Sequence, residues 1–371
     1  MARKNILLKY GYGPDYAFLI TIIILVVFGL IMLSSASSDI GKIKFNDSFF
    51  YLKRQLLYGL SFGVLGFLAG FLIPYKKWQK FATLLLGLSI LGLALVFTPL
   101  GFSAGGATRW LNLGAVLFQP AELLKITSII YLAAWLSKKK ERQSSLLEGF
   151  LPFLAIMALV TGLIFMQPAT TIAVVIAAAS LIVYFVSGLK LRYVLGFGAL
   201  MVLVLALLVS TSSYRMARIK NFLQPQNSDA QSGGFHRTQA LIAIGSGEKF
   251  GVGYGNSTNK YNFLPEPIGD SIFAVVAEEL GFAGAIFLIM LFIIIFIRGV
   301  MIATKCRDQF GRLTVIGFVS IITIQAVVNI GAISGLLPLT GMPLPFVSYG
   351  SSSLAVFLTM AGIIGNISRN T

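Results

Sequence analysis

Residues 16–38 read YAFLITIIILVVFGLIMLSSASS, and no charged residue lies between Asp15 and Asp39. A helix of about 20 residues crosses roughly 30 Å of hydrocarbon, because each residue adds about 1.5 Å along the axis. The run is apolar on every face, which is typical of a helix surrounded by lipid. Comparable uncharged gaps each predict one further span, at 55–75, 81–108 and 193–214.

The composition of the whole chain also indicates a membrane protein. Of its 371 residues, 57% are hydrophobic and 11% are charged, and the mean hydropathy is +0.86. Ordinary soluble proteins have roughly 45–50% apolar and about 25% charged residues, so a typical soluble globule is excluded. A transmembrane β-barrel is disfavoured, since barrel strands alternate apolar and polar residues over about ten positions.

Two uncharged gaps are long enough for two spans each. Residues 149–189 are interrupted by Gln167-Pro168, which predicts two helices joined by a tight turn. Residues 313–368 are interrupted by the Pro- and Gly-rich stretch 335–350, which predicts two spans and a re-entrant or surface loop. With further segments at about 121–137 and 271–297, we predict an all-α polytopic membrane protein of about ten transmembrane helices. The chain 1–371 is read as one transmembrane domain, with one long extracytoplasmic loop (about 211–270) between the seventh and eighth spans.

The positive residues set the predicted orientation. The net charge of +16 would suggest nucleic-acid binding in a soluble protein, but here the positive residues gather in short loops between apolar runs. An even number of spans puts both termini on one side, and the positive-inside rule makes that side the cytoplasm. Ser35-Ala36-Ser37 resembles a signal-peptide cleavage site, yet the apolar run before it exceeds the usual length of about 7–15 residues. We therefore expect an uncleaved anchor.

Scarce residue types limit the possible chemistry. The chain has one cysteine, Cys306, so no intramolecular disulfide can form. It has one histidine, His236, which excludes a metal site built from several histidines.

Charged residues in or beside the predicted spans are the first candidates for a functional site, because an ionisable group in hydrocarbon is costly unless paired or hydrated. Glu122 and Lys125 are three residues apart on the predicted fourth span, so they share a face. They can form a structural ion pair, or they can bind a substrate. Arg109 lies just outside this span, where a guanidinium suits bidentate binding of a phosphate, and Trp110 suits the membrane interface.

A basic cluster follows the seventh span and contains Tyr214, Arg215, Arg218 and Lys220. Arg215 and Arg218 face the same way if the helix continues through them. Such a cluster can bind a pyrophosphate at the membrane surface, or it can attract anionic lipid headgroups.

The stretch from Ala243 to Asp270 is rich in glycine, including Gly-Ser-Gly and Gly-Val-Gly-Tyr-Gly. No βα unit can exist here, so a dinucleotide-binding fingerprint is excluded. Asp270 stands at the start of the eighth span, where its carboxylate can act as a general base or cap the helix. Glu278 and Glu279 are adjacent, so they cannot face the same way, and at least one is expected to line the bundle interior. The stretch 335–352 contains three prolines and several serines, and we expect it to line the same cavity as Asp270.

Together these segments resemble the SEDS family (shape, elongation, division and sporulation), polytopic proteins that polymerise peptidoglycan glycan strands from lipid II. The run Gly-Tyr-Gly-Asn-Ser at 253–257, followed by Pro-Glu-Pro, is more similar to the division members (FtsW) than to the elongation members (RodA). The resemblance spans nearly the whole chain in the same order. It is carried by Ala-Thr-Arg-Trp at 107–110 with Gln-Pro-Ala-Glu-Leu-Leu-Lys at 119–125, the glycine-rich run 245–257, Leu-Pro-Glu-Pro at 264–267 with Asp270 and Glu-Glu-Leu-Gly at 278–281, and the proline-rich stretch ending Ser-Tyr-Gly-Ser-Ser-Ser at 348–353.

The resemblance implies a site and its partners. Asp270 is expected to be catalytic, activating the 4-hydroxyl of one lipid-linked disaccharide so that it displaces the undecaprenyl pyrophosphate of another. Arg109 and Lys125 are expected near the pyrophosphate, with Glu122 fixing Lys125. The resemblance also implies the bacterial cytoplasmic (inner) membrane, a class B penicillin-binding protein as transpeptidase partner, and a divalent cation (Mg or Mn) that assists the leaving group. The other residues assigned to substrate binding are Arg215, Arg218, Lys260, Glu266, Ser351 and Ser352.

The chain departs from the usual family pattern at three places. It has Gln167-Pro168-Ala169 where the family has Gln-Pro-Asp, and Gly269-Asp270-Ser271 where the family has Thr-Asp-Phe. It has Thr108-Arg109 where the family has two arginines, which affects the expected strength of phosphate binding rather than the reaction.

Two other functions remain open at this point. A lipid II flippase would need charges along a route to the cytoplasmic side, and only Lys125, Glu278 and Glu279 could lie that deep. A non-catalytic scaffold of the division machinery predicts that Asp270 can be replaced without loss.

Overall fold

The structure of the protein is a computed structural model, and it describes residues 13–104, 107–112, 114, 117–138, 146–167, 169–188, 191–223, 234–260 and 263–370. Within these ranges each of the ten predicted spans is a helix. Eight helices are long and apolar enough to cross a membrane by length and composition, and Thr170–Val186 is a shorter apolar helix. The spans are α1 (Tyr16–Phe45), α2 (Phe50–Leu72), α3 (Tyr75–Leu95), α4 (Pro120–Lys138), α5 (Leu147–Met166), α6 (Thr170–Val186), α7 (Leu191–Ser210), α10 (Ile272–Lys305), α11 (Gln309–Ile333) and α12 (Ser351–Ser368), and the loop after α7 holds α8 (Ser213–Leu223) and α9 (Gly234–Ser246).

Both predicted helix breaks are present. Helix α5 ends at Met166 and α6 begins at Thr170, so a very short turn joins them, although Pro168 lies outside the described residues. The side-chain amide of Gln167 holds this turn by donating to the Leu93 carbonyl at 2.9 Å. The second break separates α11 from α12 and leaves residues 335–350, here called the proline loop, without helix.

Helices α11 and α12 form the centre of the bundle, and α7 lies at its edge. In the most apolar 18-residue window, 78% of the α12 residues and 67% of the α11 residues are buried, against 6% in α7. Helix α12 approaches α2 closely because glycines on α2 leave room for backbone contact. A Cβ at Gly70 would lie 2.8 Å from both the Ile363 nitrogen and the Thr359 oxygen. Small residues at such contacts are what allow helices to pack tightly in lipid.

Helix α10 is interrupted near its N-terminal end. Gly281 has φ 66° and ψ −164°, a conformation that residues with a Cβ rarely adopt. The interruption frees backbone groups, and residues 247–260, here called the glycine loop, bond to them. Val252 and Gly253 donate to the carbonyls of Glu278 and Glu279 at 3.0 Å each. The loop is therefore built into the helix rather than lying on its surface.

A small antiparallel sheet connects α3 to α4 and was not predicted from the sequence. Its strands are β1 (Gly101–Ala104), β2 (Ala107–Asn112) and β3 (Leu117–Phe118), in the order β1-β2-β3. Trp110 on β2 pairs with Phe102 on β1. The sheet fixes the direction of the chain at Arg109, which is also on β2.

Candidate active site

Asp270 lies in a turn that precedes α10, here called the Asp270 turn (residues 264–271). The N-cap of α10 is Ser271, and no side chain caps this helix. The helix-cap interpretation of Asp270 is therefore wrong. The Asp270 backbone carbonyl accepts a hydrogen bond from Asn329 Nδ2 on α11 at 2.8 Å, so α11 holds the backbone of this turn.

The Asp270 carboxyl is nearly enclosed and incompletely bonded. Its side chain is 12% exposed, and Oδ1 has no hydrogen-bond partner among the described residues. Burial, reinforced by the negative charge of Glu266, raises the pKa of Asp270 to about 7, although Arg218 opposes the shift. A carboxyl that titrates near neutrality can accept a proton and release it again, as a general base must.

Arg218 of α8 lies close to this carboxyl. A Cβ at Gly341 of the proline loop would lie 3.8 Å from Asp270 Oδ2 and 3.9 Å from Arg218 Nη2, so the two charged groups flank this glycine. Arg218 Nη1 also donates to the Leu339 carbonyl at 3.1 Å, which ties α8 to the proline loop.

The structure divides the predicted basic cluster. Helix α7 ends at Ser210, and the cluster lies on a separate helix, α8, which begins at Ser213, so Arg215 and Arg218 are three residues apart on one helix. Arg215 Nη1 donates to the Leu208 carbonyl at 3.1 Å, near the end of α7, whereas Arg218 reaches the proline loop. Lys220 is exposed, and the Tyr214 side chain lies outside the described part of the structure.

Hydrogen bonds fasten the proline loop to the Asp270 turn. Ser348 Oγ donates to the Gly269 carbonyl at 2.6 Å, and the Tyr349 nitrogen donates to the Ile268 carbonyl at 2.8 Å. Asn329 Nδ2 donates to the Met342 carbonyl at 2.6 Å as well as to Asp270. Helix α11 thus holds both segments through one side chain.

Glu122 and Lys125 form a buried ion pair on α4. Lys125 is fully buried, and its Nζ donates to Glu122 Oε1 and to Gln325 Oε1, each at 2.7 Å. Gln325 Nε2 donates in turn to the Pro343 carbonyl at 2.8 Å. The pair is therefore connected to the proline loop through one side chain of α11.

Lys260 lies in another buried pair, with Glu279 of α10. Its Nζ is 2.9 Å from Glu279 Oε1, and it also donates to Ser35 Oγ at 3.0 Å and to the Gly255 carbonyl at 2.7 Å. Glu278 accepts hydrogen bonds from Ser257 Oγ at 2.5 Å and from Asn259 Nδ2 at 2.9 Å. Both glutamates are buried, where only one was required by the sequence argument.

The remaining predicted residues occupy the surroundings of the site. Arg109 is half-buried, and its Nε donates to the Gln167 carbonyl at 3.2 Å, in the turn between α5 and α6. Glu266 is exposed and influences Asp270 through its charge. Ser351 and Ser352 begin α12, and Ser352 Oγ donates to the Leu117 carbonyl at 3.3 Å.

Sequence reasoning missed three polar residues of the site. His236 of α9 has Nε2 at 2.6 Å from Ser271 Oγ and at 4.0 Å from Asp270 Oδ1. Gln325 and Asn329 are four residues apart on α11, so they share a face toward the proline loop. That spacing of polar residues in an apolar span was a readable signal. No such signal in the sequence pointed to His236, because it lies far from Asp270 along the chain.

Comparison with known proteins agrees with this geometry. Residues 16–371 match the model of the FtsW/RodA/SpoVE family, described as cell cycle proteins. The chain belongs to this family. It is 37% identical over 358 residues to stage V sporulation protein E of Bacillus subtilis (strain 168), covering 96% of this chain and 97% of that protein. It is 39% identical over 355 residues to the probable peptidoglycan glycosyltransferase FtsW of Trichlorobacter lovleyi, covering 95% and 93%.

Solved structures of family members have the same fold. A chain of a peptidoglycan synthase complex, described as coordinating polymerization and crosslinking, matches with a TM-score of 0.80 at 28% identity over 96% of this chain and 98% of that chain. The rod shape determining protein RodA of Thermus thermophilus matches with a TM-score of 0.71 at 29% identity, covering 96% and 97%. The prediction of a multi-pass SEDS protein similar to FtsW is confirmed.

Proposed function

We propose that the protein is a membrane-embedded peptidoglycan glycosyltransferase that polymerises lipid II during cell division. Relatives named peptidoglycan glycosyltransferase FtsW, aligned over nearly the whole chain, support the reaction and the process. The observation that carries the proposal is Asp270, a nearly enclosed carboxyl that caps no helix, whose Oδ1 lacks a hydrogen-bond partner among the described residues, and whose pKa is raised to about 7.

In the proposed reaction, the Asp270 carboxylate takes the proton from the 4-hydroxyl of the acceptor disaccharide. The acceptor oxygen forms a bond to the anomeric carbon of the donor as the proton leaves. The bond from that carbon to the pyrophosphate oxygen breaks, and undecaprenyl pyrophosphate departs with the bonding electron pair. Attack and departure take place on opposite faces, so the configuration inverts. The proton then passes from Asp270 to solvent, which a group with a pKa near 7 permits.

Basic residues near Asp270 are proposed to bind the donor pyrophosphate. Arg218 lies beside the carboxyl, and Arg109 is held on β2 by its contact with the Gln167 carbonyl. A guanidinium binds phosphate oxygens in a bidentate manner. Lys125 is proposed to act at longer range, since its ammonium is already bonded to Glu122 and Gln325.

The proposed divalent cation, Mg or Mn, finds no ready-made protein site. Within the described residues, no group of three or more His, Cys, Asp or Glu side chains could hold a metal ion. Mg²⁺ is usually held by few protein groups together with substrate phosphates, so a cation here would depend on the pyrophosphate oxygens. When bound, it would neutralise charge on the leaving group.

The proposed location is the bacterial cytoplasmic membrane, with both termini in the cytoplasm and with α8, α9 and the proline loop on the outer side. The proposed partner is a class B penicillin-binding protein. The positive-inside argument supports the orientation. The match to a chain of a complex described as coordinating polymerization and crosslinking supports the partner.

The test is polymerisation of purified lipid II by the reconstituted protein, with and without the transpeptidase partner. Wild type is expected to build glycan strands, and Asp270→Ala is expected to build none while eluting as a folded monodisperse protein. Glycan synthesis by that variant would overturn the catalytic assignment and favour the scaffold. Wild-type protein that moves lipid II across vesicles without polymerising it would favour the flippase.

A further inference from the structure

His236 contacts the Asp270 turn from a separate element of the extracytoplasmic loop. It is on α9, and its side chain is 17% exposed. Its Nε2 is 2.6 Å from Ser271 Oγ and 4.0 Å from Asp270 Oδ1. One imidazole nitrogen therefore lies between a hydroxyl that it contacts and a carboxylate oxygen that has no hydrogen-bond partner among the described residues.

The hydrogen bonds of Ser271 fix where the imidazole proton is. A serine hydroxyl has a single proton to donate. Ser271 Oγ donates that proton to the Pro265 carbonyl at 2.8 Å, since a carbonyl can only accept. Ser271 Oγ must then accept from His236, so Nε2 carries the hydrogen and the neutral ring has its lone pair on Nδ1.

Burial and a nearby positive charge keep this imidazole neutral. Burial, together with the positive charge of Arg218 on α8, lowers the pKa of His236 to about 4. The charged groups near the pair are Arg218 on α8, Glu266 in the Asp270 turn and Asp270 itself. At neutral pH, His236 is therefore an N–H donor that carries no charge.

We propose that His236 is a positioning residue for the catalytic carboxylate: its Nε2–H donates to Asp270 Oδ1 while Asp270 is ionised and returns to Ser271 Oγ when Asp270 holds the acceptor proton. The distance of 4.0 Å must shorten to about 2.9 Å for this bond. A rotation of the imidazole is enough, because Ser271 and Asp270 are neighbours in the chain and the same nitrogen faces both. This inference rests on the proposed function only in naming a sugar hydroxyl as the source of the proton.

A hydrogen bond to the ionised carboxyl favours that form, so it keeps Asp270 available as a base at lower pH. Loss of the donor is expected to raise the pKa of Asp270. The acidic limb of the pH–rate profile then moves to higher pH, and the loss of activity is largest below neutrality. A purely structural role for His236, holding α9 against the turn, would lower activity by the same factor at every pH.

The first experiment compares pH–rate profiles of lipid II polymerisation for full-length variants reconstituted with the partner. His236→Phe keeps a planar ring without a donor, and we expect its acidic limb to move up by about one pH unit. His236→Gln keeps an N–H donor and is expected to restore most of the wild-type profile. Thr238→Val, on the exposed face of the same helix, is the matched control and should match wild type. A uniform loss in His236→Phe, with an unmoved limb, would overturn the proposal.

The second experiment does not depend on turnover. Infrared titration of the purified protein follows the carboxyl C=O band of Asp270, identified by its loss in Asp270→Asn. The midpoint is expected to rise by about one pH unit in His236→Phe and to return in His236→Gln. A shifted midpoint in a protein that does not polymerise lipid II would uphold this inference while the proposed function fails. An unshifted midpoint would overturn the inference, whatever the activity.

Discussion

Two sets of buried acids, the pair Glu278 and Glu279 and the single Asp270, lie near the N-terminal end of α10, and they are bonded in different ways. Glu278 and Glu279, where the glycine loop enters the helix, have strong partners: Lys260 Nζ is 2.9 Å from Glu279, and five donor atoms from Ser257, Thr258 and Asn259 lie within 3.4 Å of Glu278. Asp270, eight residues before Glu278, is approached within 4.0 Å by one basic side chain of the described residues, the uncharged His236.

The difference in bonding distinguishes acids that stabilise the fold from the acid proposed to transfer a proton. A cation or several donors beside a buried carboxylate stabilise it and tie together the segments that they belong to. The Asp270 carboxyl, whose pKa burial raises to about 7, lies near the balance point between its two protonation states, which costs stability but permits proton transfer. The first arrangement holds the glycine loop in α10, and the second provides the proposed base.

The largest effect is expected when the ion pair between Lys260 and Glu279 is removed. Lys260→Met leaves Glu279 buried without its cation, so we expect a loss of about 3–5 kcal/mol in the free energy of unfolding. Thermal unfolding in detergent measures it. Lys249→Met, an exposed lysine of the same loop, is the control and should change little. If Lys260→Met instead keeps the wild-type melting temperature but no longer binds lipid II, Lys260 is a substrate-binding residue rather than a structural one.

Arg218→Ala tests how the charge near Asp270 sets the pKa of that carboxyl. Arg218 opposes the rise in the pKa of Asp270, so its removal raises that pKa further. The base is then ionised only at higher pH, and we expect about a tenfold loss of polymerisation near neutrality and a smaller loss at pH values well above it. Lys249→Ala, which removes an exposed positive charge of the glycine loop, is the control. Equal losses in both variants at every pH would contradict the assigned role.

Arg109→Ala tests the proposed pyrophosphate contact on β2. Loss of a hydrogen bond to a charged group costs about 1.5–3 kcal/mol, so lipid II binding in nanodiscs should weaken by roughly tenfold or more. The melting temperature should fall little, because the contact with the Gln167 carbonyl is only partly buried. Unchanged binding with a lower melting temperature would make Arg109 a structural residue.

Gly341→Ala has the smallest expected effect. Gly341 has φ +68°, so an alanine costs about 1–2 kcal/mol of backbone strain, and its methyl lies between Asp270 and Arg218. We expect a several-fold loss of polymerisation. Gly114→Ala is the matched control, because Gly114 has φ +83° with nothing within 4 Å of its Cβ position. If both variants lose activity equally, backbone strain alone explains the result.

The sequence predicted the spans well because lipid imposes one simple requirement, about 20 residues without charge. The breaks at Gln167 and in the proline loop followed from proline. The small sheet around Arg109 was missed, since short polar segments carry no such requirement. Glu278 illustrates the same limit: adjacency in sequence suggested opposite faces, but the interruption at Gly281 and the glycine loop bury both glutamates.

The site was predictable where its residues are close in sequence or part of a known motif. Asp270 and the pair Glu122–Lys125 were found in this way. Contacts between residues that are distant in sequence were not predicted, because hydropathy and spacing do not determine which loop contacts which turn. Lys260 with Glu279 and His236 with Ser271 are two such contacts.

The most direct test of the account measures polymerisation and thermal unfolding on the same preparations of Asp270→Asn and Glu278→Gln. For Asp270→Asn, we predict a loss of about 10²–10⁴-fold in rate with a melting temperature equal to or above that of wild type, since a base is removed, a buried ionisable group is replaced by a neutral one of the same shape, and the Asn329 contact to the backbone carbonyl remains. For Glu278→Gln, we predict a lower melting temperature and a normal rate per folded molecule. An Asp270→Asn protein that polymerises lipid II at the wild-type rate would contradict the account.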